Sequence, residues 1–349
     1  FTMINFKEEL FSYAYAKRVP LTTTLEIISV CNFRCVHCYL GNSSRKDILT
    51  YEQIVDFGNQ IIEMGCLYVI LTGGEVLLHP DFKKIYTFFA ERGMCVSVFT
   101  NGSLINDDTI QLFQKYPPRI VEITMYAFSS DTYKVVTKTN GYAAVKRNIL
   151  LLKQNHINVL LKMFVMNNNY FDFASICQFA RDYSIPFKYD TRIIADASSV
   201  EMSYQLDEKL SLELELSKSS TEPKYNDNMR TYIMGNRTNK AFQCGAGRSS
   251  CWLKSNYRLR LCNFLSCIEY DLKTYSVAEA WNEMKHYIDK DIPSESKCYG
   301  CQHRQYCSYC PAVSFVTFGR TDMMYHPTLY CKDAMIKVPS DNSDSTCKM

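Results

Sequence analysis

Between residues 21 and 195 strand-like and helical runs alternate through six steps, with short connections between them. Thr22 to Val30 reads as a strand, with Leu25 and Ile27 on one face and Glu26 and Ile28 on the other. Further strands are expected over Cys66–Leu71, Cys95–Phe99, Arg119–Met125, Val159–Val165 and Phe187–Ile194. Helical spacing of apolar residues marks Tyr51–Met64, Asp81–Arg92, Asp107–Gln114, Ala143–Asn155 and Phe171–Tyr183. Such alternation predicts a parallel sheet covered by helices, either doubly wound or a partial barrel. In both, the loops that follow the strand C-termini form the functional site.

Three motifs fall on that rim. The first strand runs into Cys31-x3-Cys35-x2-Cys38, the second into Gly73-Gly74-Glu75, and the third into Thr100-Asn101-Gly102. The cysteine loop offers three thiolates, not four. A structural zinc site wants four ligands and a structural iron–sulfur site four cysteines. Three thiolates hold three irons of a [4Fe–4S] cube and leave the fourth open to a reactant. The chain has 16 cysteines and no signal-peptide pattern, so ligation in a reducing cytoplasm is favoured over disulfides. A formal charge of +3 announces neither a nucleic-acid nor a membrane partner, and no run of 18 apolar residues exists.

Taken together, these motifs resemble the rim of the radical S-adenosylmethionine (SAM) enzymes. The resemblance implies an α/β fold with a partial (β/α)6 TIM-like barrel. It makes Cys31, Cys35 and Cys38 the ligands of a SAM-binding cluster, with SAM chelating the open iron. Tyr39 matches the aromatic position against the adenine, and Gly73, Gly74 and Glu75 the element that receives the SAM amino group. The two glycines are expected to let backbone approach the ligand closely. Thr100, Asn101 and Thr124 occupy further SAM-facing positions. One electron delivered to bound SAM then yields a 5′-deoxyadenosyl radical. His37 reads as a packing or solvent-side residue, and His79, before Pro80, as the start of a helix.

The remaining cysteines crowd toward the C-terminus: Cys244, Cys251, Cys262, then Cys298-x2-Cys301-x5-Cys307-x2-Cys310, then Cys331. Zinc-ribbon knuckles lie about 12–20 residues apart, whereas five residues separate these. The set resembles a SPASM domain, the C-terminal extension of peptide- and protein-modifying radical SAM enzymes, which carries two auxiliary [4Fe–4S] clusters. By motif order Cys244, Cys251, Cys262 and Cys310 would hold the first, with Cys267 an alternative to Cys251. Cys298, Cys301, Cys307 and Cys331 would hold the second, giving three clusters in all. The chain departs from the pattern twice: its last knuckle is C-x2-C where C-x3-C is common, and Tyr257 stands where a glycine is usual. Cys66, Cys95 and Cys177 read as small buried hydrophobes and Cys347 as a tail residue.

The expected organisation is an N-terminal segment over 1–20, the barrel over 21–200, and a charged, helix-prone connector over 201–243. A small, cysteine-rich SPASM domain over 244–335 and a flexible tail over 336–349 complete it. The resemblance points to a cytoplasmic maturase of a ribosomally made precursor peptide that forms a thioether or carbon–carbon crosslink. A flavodoxin or ferredoxin would supply electrons. About 20 residues precede the first strand, so leader binding is expected from a separate protein or from the catalytic domain itself. A formylglycine-forming sulfatase maturase is the alternative. Its catalytic acid follows the third SPASM cysteine, where this chain has Asn263. Epimerisation, decarboxylation, haem-pathway chemistry and a non-enzymatic iron–sulfur scaffold or redox sensor complete the field.

Overall fold

In the computed structural model, residues 6–40, 46–194, 202–221, 239–325 and 328–336 are described. The expected tail beyond residue 336, and 222–238 of the connector, lie outside them. Eight helices accompany the first six strands: Phe6–Lys17 (α1), Tyr51–Glu63 (α2), Phe82–Glu91 (α3), Asp107–Lys115 (α4), Ser130–Thr137 (α5), Tyr142–Gln154 (α6), Phe173–Asp182 (α7) and Glu208–Thr221 (α8). The strands are Thr22–Ile28 (β1), Tyr68–Gly73 (β2), Cys95–Thr100 (β3), Ile120–Thr124 (β4), Val159–Phe164 (β5) and Phe187–Asp190 (β6). Each pairs in parallel with the next.

Alternation along the strands separates the two faces of this sheet. Leu25, Ile27, Val69, Leu71, Val121, Ile123 and Leu161 are fully buried in the core. Their neighbours Glu26, Thr72, Glu122 and Lys162 share the other face, as a side-chain period of two requires. The helices cap as their sequences direct. Thr50 and Gln53 form a reciprocal capping box at the start of α2, and Asn106 caps α4. Gly58 lets α2 meet α3, because a Cβ there would lie 2.5 Å from the Phe88 ring. Helix α5, absent from the sequence reading, forms on a Ser129 cap and buries Tyr133 and Val136 completely. Its apolar stripe is only two residues deep, too short for a periodicity signal.

The cysteine-rich segment adds three strands to the same sheet: Ser250–Leu253 (β7), Arg258–Arg260 (β8) and Glu269–Asp271 (β9). The full order is β6-β5-β4-β3-β2-β1-β7-β8-β9, with β7 parallel to β1 and β8 and β9 antiparallel. A loop-rich segment was expected; its strands are only three or four residues long, below what an alternation pattern resolves. Helices Val277–Glu283 (α9), Lys285–Ile288 (α10), Pro311–Phe318 (α11) and Thr328–Ile336 (α12) follow. Helix α1 is fastened here as well: Arg18 donates to the Trp281 carbonyl at 2.8 Å, and the Trp281 indole donates back to the Arg18 carbonyl at 3.0 Å.

Tyr257 turns β7 into β8 at φ +63°, in the left-handed region that favours glycine. The backbone thus keeps the bend that a glycine usually makes. The tyrosine hydroxyl donates 2.7 Å to Asp56 of α2, which offsets part of the strain.

A buried ion pair locks β1 to the segment after β7. Glu26 is 1% exposed. It accepts from the Lys254 ammonium and, at 2.8 Å, from the Ser255 hydroxyl. Lys254→Met leaves this carboxylate buried without its cation, and the expected loss is about 3–5 kcal/mol. The urea midpoint measured anaerobically should fall accordingly and recover in large part in the Glu26→Gln/Lys254→Met double variant.

Candidate active site

The rim is built by backbone crowding. The Gly74 amide donates to the Ile28 carbonyl at 2.7 Å and the Glu75 amide to the Val30 carbonyl at 2.9 Å. A Cβ on Gly73 would lie 2.2 Å from the Ile28 oxygen, and one on Gly74 2.3 Å from the Val30 oxygen. The expected reason for the glycines was close approach to a ligand. The structure supplies a further one: only glycine lets the end of β2 lie against the chain that leads into the cysteine loop.

Glu75 is wholly buried. One carboxylate oxygen accepts from the Thr100 hydroxyl at 2.6 Å and the Leu77 amide at 3.1 Å, and the other from the Asn101 amide at 2.7 Å. Burial raises its pKa, and those three donors oppose the rise. Glu75 therefore fastens the end of β2 to the end of β3. From there Asn101 reaches the cysteine loop: its side-chain amide donates 2.8 Å to Asn32 and points at the Cys31 sulfur from 3.9 Å. The Asn148 amide, from α6, donates to the Gly102 carbonyl at 2.9 Å and supports the turn from beneath.

Cys31, Cys35 and Cys38 face the space between Tyr39 and Tyr126. Tyr39 is 36% exposed as a residue, but its hydroxyl is directed inward, and desolvation there, then Glu26 and the thiols of Cys38 and Cys31, raise the pKa of the phenol. Burial does the same for Tyr126, followed by Cys35 and Cys38. The Tyr39 hydroxyl donates to Glu26 at 3.4 Å, so this aromatic is tied to the buried ion pair. His37 packs between Phe164 and Tyr126, with ring centroids at 5.1 and 5.3 Å. Burial pushes its pKa down to about 4, so it is neutral near pH 7. His79 is buried at the start of α3, bonded to the Leu49 carbonyl at 2.8 Å. Thr124 ends β4 in register with Lys162 of β5, on the polar face of the sheet. Deeper on that face Lys188 pairs with Glu122 at 2.6 Å.

Among the described residues no three Cys, His, Asp or Glu side chains converge on one point as the ligands of a single ion do. A cube takes each thiolate on a separate iron, and the donor set at the rim, three thiols in one loop, fits that group.

The C-terminal thiols form two neighbouring groups. Burial pushes Cys262 up to about 12, with Cys244 and Cys310 adding to the rise. Cys298 is raised by burial, then by Cys307 and, more weakly, by Cys301. Cys331 lies on α12, which packs against the turn at 304–306. Cys251 requires a correction. It was expected beside Cys244, Cys262 and Cys310, yet it is registered opposite Thr23 and its thiol contacts the Thr23 hydroxyl at 3.5 Å. The period of two puts it on the core face of β7 with Cys66, away from that trio. Cys267 is exposed, and no thiol contributes to its shift. Cys66 is buried as expected, whereas Cys95 is exposed and Cys177 half-buried. Cys95 opens β3, at the rim opposite the motifs.

Residues 25–180 match the model of the radical SAM superfamily. The chain carries a radical SAM domain. Its sequence is 29% identical over 167 residues to the subtilosin biosynthesis protein AlbA of Bacillus subtilis, an alignment covering 47% of this chain and 37% of AlbA. An AdoMet-dependent heme synthase of Methanosarcina barkeri is 19% identical over 86% of this chain and 93% of its own length. The structure of Streptococcus suis SuiB bound to its precursor peptide SuiA superposes with a TM-score of 0.72 at 13% identity, covering 92% of this chain and 79% of SuiB. That superposition establishes the shared open TIM-like α/β fold, and the cysteine-rich C-terminus accords with it. Among the described residues no helix is long and apolar enough to cross a membrane.

Sequence reasoning missed Glu26, Lys254, Asn32 and Asn148. Only Glu26 carried a signal, as a charged residue inside an otherwise apolar strand. Ligand assignments are tested by counting iron and sulfide after anaerobic reconstitution. Cys35→Ser and Cys262→Ser are each expected to lower the count by about four irons per chain, and Cys251→Ser to leave it unchanged.

Proposed function

We propose that this chain is a cytoplasmic radical SAM maturase that crosslinks a ribosomally made precursor peptide through a thioether or carbon–carbon bond. The observation that carries the proposal is the three-thiol rim, braced by Glu75 and Asn101, in a chain whose sheet continues into the segment that carries two further thiol groups. AlbA, named for subtilosin biosynthesis, and SuiB, seen with a precursor peptide, support a peptide substrate.

Cys31, Cys35 and Cys38 would hold the SAM-binding cluster. Cys244, Cys262 and Cys310 would hold a first auxiliary cluster through three thiolates, leaving one iron open. Cys298, Cys301, Cys307 and Cys331 would hold a second. When bound, these groups and SAM would supply a 5′-deoxyadenosyl radical that takes one hydrogen atom from the peptide, and an acceptor for the one electron left once the peptide has also lost one proton and formed its new bond. The protein's own share is orientation. Tyr39 would lie against the adenine, and Gly73, Gly74, Glu75, Thr100, Asn101 and Thr124 would shape the rest of the SAM site. Lys162 lies on the polar face of the sheet, beside the Lys188–Glu122 ion pair. A flavodoxin or ferredoxin would deliver electrons, and leader recognition would fall to a separate protein or to the catalytic domain.

Two alternatives differ in their support. Formylglycine formation needs an acid after the third SPASM cysteine. Here Asn263 accepts a hydrogen bond from Lys254 at 3.1 Å and cannot serve as a base. A haem-pathway reaction is favoured by the near full-length match to the heme synthase.

The test is anaerobic co-expression with each short peptide encoded beside the gene, followed by intact-mass and fragmentation analysis. A loss of two hydrogens, absent in Cys35→Ser, is expected. Unchanged mass with deuterium uptake from heavy water would establish epimerisation instead. Unchanged peptides together with conversion of an added porphyrin would establish the haem-pathway alternative.

A further inference from the structure

A buried arginine lies among the C-terminal thiols without a carboxylate partner. Arg304 is 9% exposed. It stands between Cys301 and Cys307, and the backbone clamps it from both sides: its amide donates to the Cys301 carbonyl at 3.1 Å, and its carbonyl accepts from the Cys307 amide at 3.1 Å. One guanidinium nitrogen, Nη2, donates to the Lys240 carbonyl at 2.7 Å. The Nε–H is buried and has no hydrogen-bond acceptor among the described residues. Among the described residues no Asp or Glu pairs with this side chain. The groups that act on it electrostatically are the thiols of Cys298, Cys307 and Cys301.

A guanidinium stays charged in proteins and is costly to bury without a counter-charge. An N–H without an acceptor adds a further cost, about 1–3 kcal/mol. An anion at this place would offset both costs. The three thiols that surround Arg304 are the ones assigned above, with Cys331, to the second auxiliary cluster. Four thiolates outweigh the positive core of such a cluster, so it is an anion, and more so after it gains an electron.

We infer that Arg304 is the internal counter-charge of the second auxiliary cluster, its Nε–H directed at a cluster or cysteinyl sulfur, and that it raises the reduction potential of that cluster. This rests on the assignment of a second cluster to these cysteines. The step concerned is a one-electron reduction in which no bond breaks and no proton moves. In the protein's work the electron comes from the oxidised substrate, and in the test from dithionite. Positive charge nearby stabilises the reduced form more than the oxidised form. Arg304 is thus a positioning residue acting through the cluster, because hydrogen bonds to sulfur and net charge are among the factors that set cluster potentials.

The experiment is a dithionite titration of the reconstituted full chain, followed by electron paramagnetic resonance, with iron counted in parallel. The samples are the parent chain, Arg304→Gln, Arg304→Lys and Cys298→Ser/Cys307→Ser. The expected result is an unchanged iron count in Arg304→Gln and a lower midpoint for one centre. That centre is the one missing from the double cysteine variant. A tenfold loss in its reduction equilibrium, about 59 mV for one electron, is the effect sought, with Arg304→Lys recovering most of it. Loss of about four irons in Arg304→Gln alone, with retention in Arg304→Lys, would also support the counter-charge.

Unchanged midpoints in an iron-replete Arg304→Gln would overturn the inference. So would equal iron loss in both arginine variants, which would mark a purely structural residue. An unchanged iron count in Cys298→Ser/Cys307→Ser would overturn the second-cluster assignment itself, and the inference with it.

Discussion

The whole rim depends on how closely β2 approaches the end of β1. Two successive amides, of Gly74 and Glu75, reach the Ile28 and Val30 carbonyls. No side chain larger than hydrogen fits at Gly73 or Gly74 without displacing backbone. That approach fixes where the chain leaves β1, and so where the cysteine loop begins. It also drives the Glu75 carboxylate into the sheet, where it collects donors from the next strand. Burial raises the pKa of Glu75, and the hydrogen bonds from Thr100, Asn101 and Leu77 oppose that rise. The rim is therefore set by strand packing before any ligand arrives, as preorganised sites require.

The second constraint is the Glu26–Lys254 pair. A buried pair of this kind is a weak source of net stability, since desolvation consumes much of the Coulomb gain. Its value here is geometric. Glu26 receives Lys254, Ser255 and Tyr39, and Lys254 passes on to Asn263, next to Cys262. One carboxylate thus fixes the register between Tyr39, beside the cysteine loop, and the first C-terminal thiol group. A hydrophobic pair of equal volume would fill the same space without choosing the register.

Most of this architecture was legible where the chain is periodic. The six parallel strands and the large helices follow from runs of apolar residues at spacings of two or of three and four, and their bounds shift by a few residues at most. The rim motifs were legible because three of them end successive strands. Legibility failed where contacts span long stretches of sequence. Nothing in Ser250–Leu253 announces that it extends the sheet beside β1, because a short parallel strand is specified by its partner and not by its own pattern. The misplacement of Cys251 has the same origin, since motif order says nothing about which face of a strand a cysteine occupies. Tyr257 shows the converse: the residue departs from the expected glycine, yet its backbone takes the left-handed conformation that glycine favours.

The pairing of β1 with β7 bears on how the chain comes into being. Thr23 and Cys251 are 228 positions apart, so β1 is synthesised well before the strand that pairs with it. At about 5–20 residues per second this interval is on the order of tens of seconds. Throughout it, β1 presents a raw edge whose unpaired amides and carbonyls can recruit a strand from another nascent chain. Production of this protein in a foreign host would then be limited by protection of that edge during synthesis, and slower growth or added chaperone would help for a reason unrelated to iron supply.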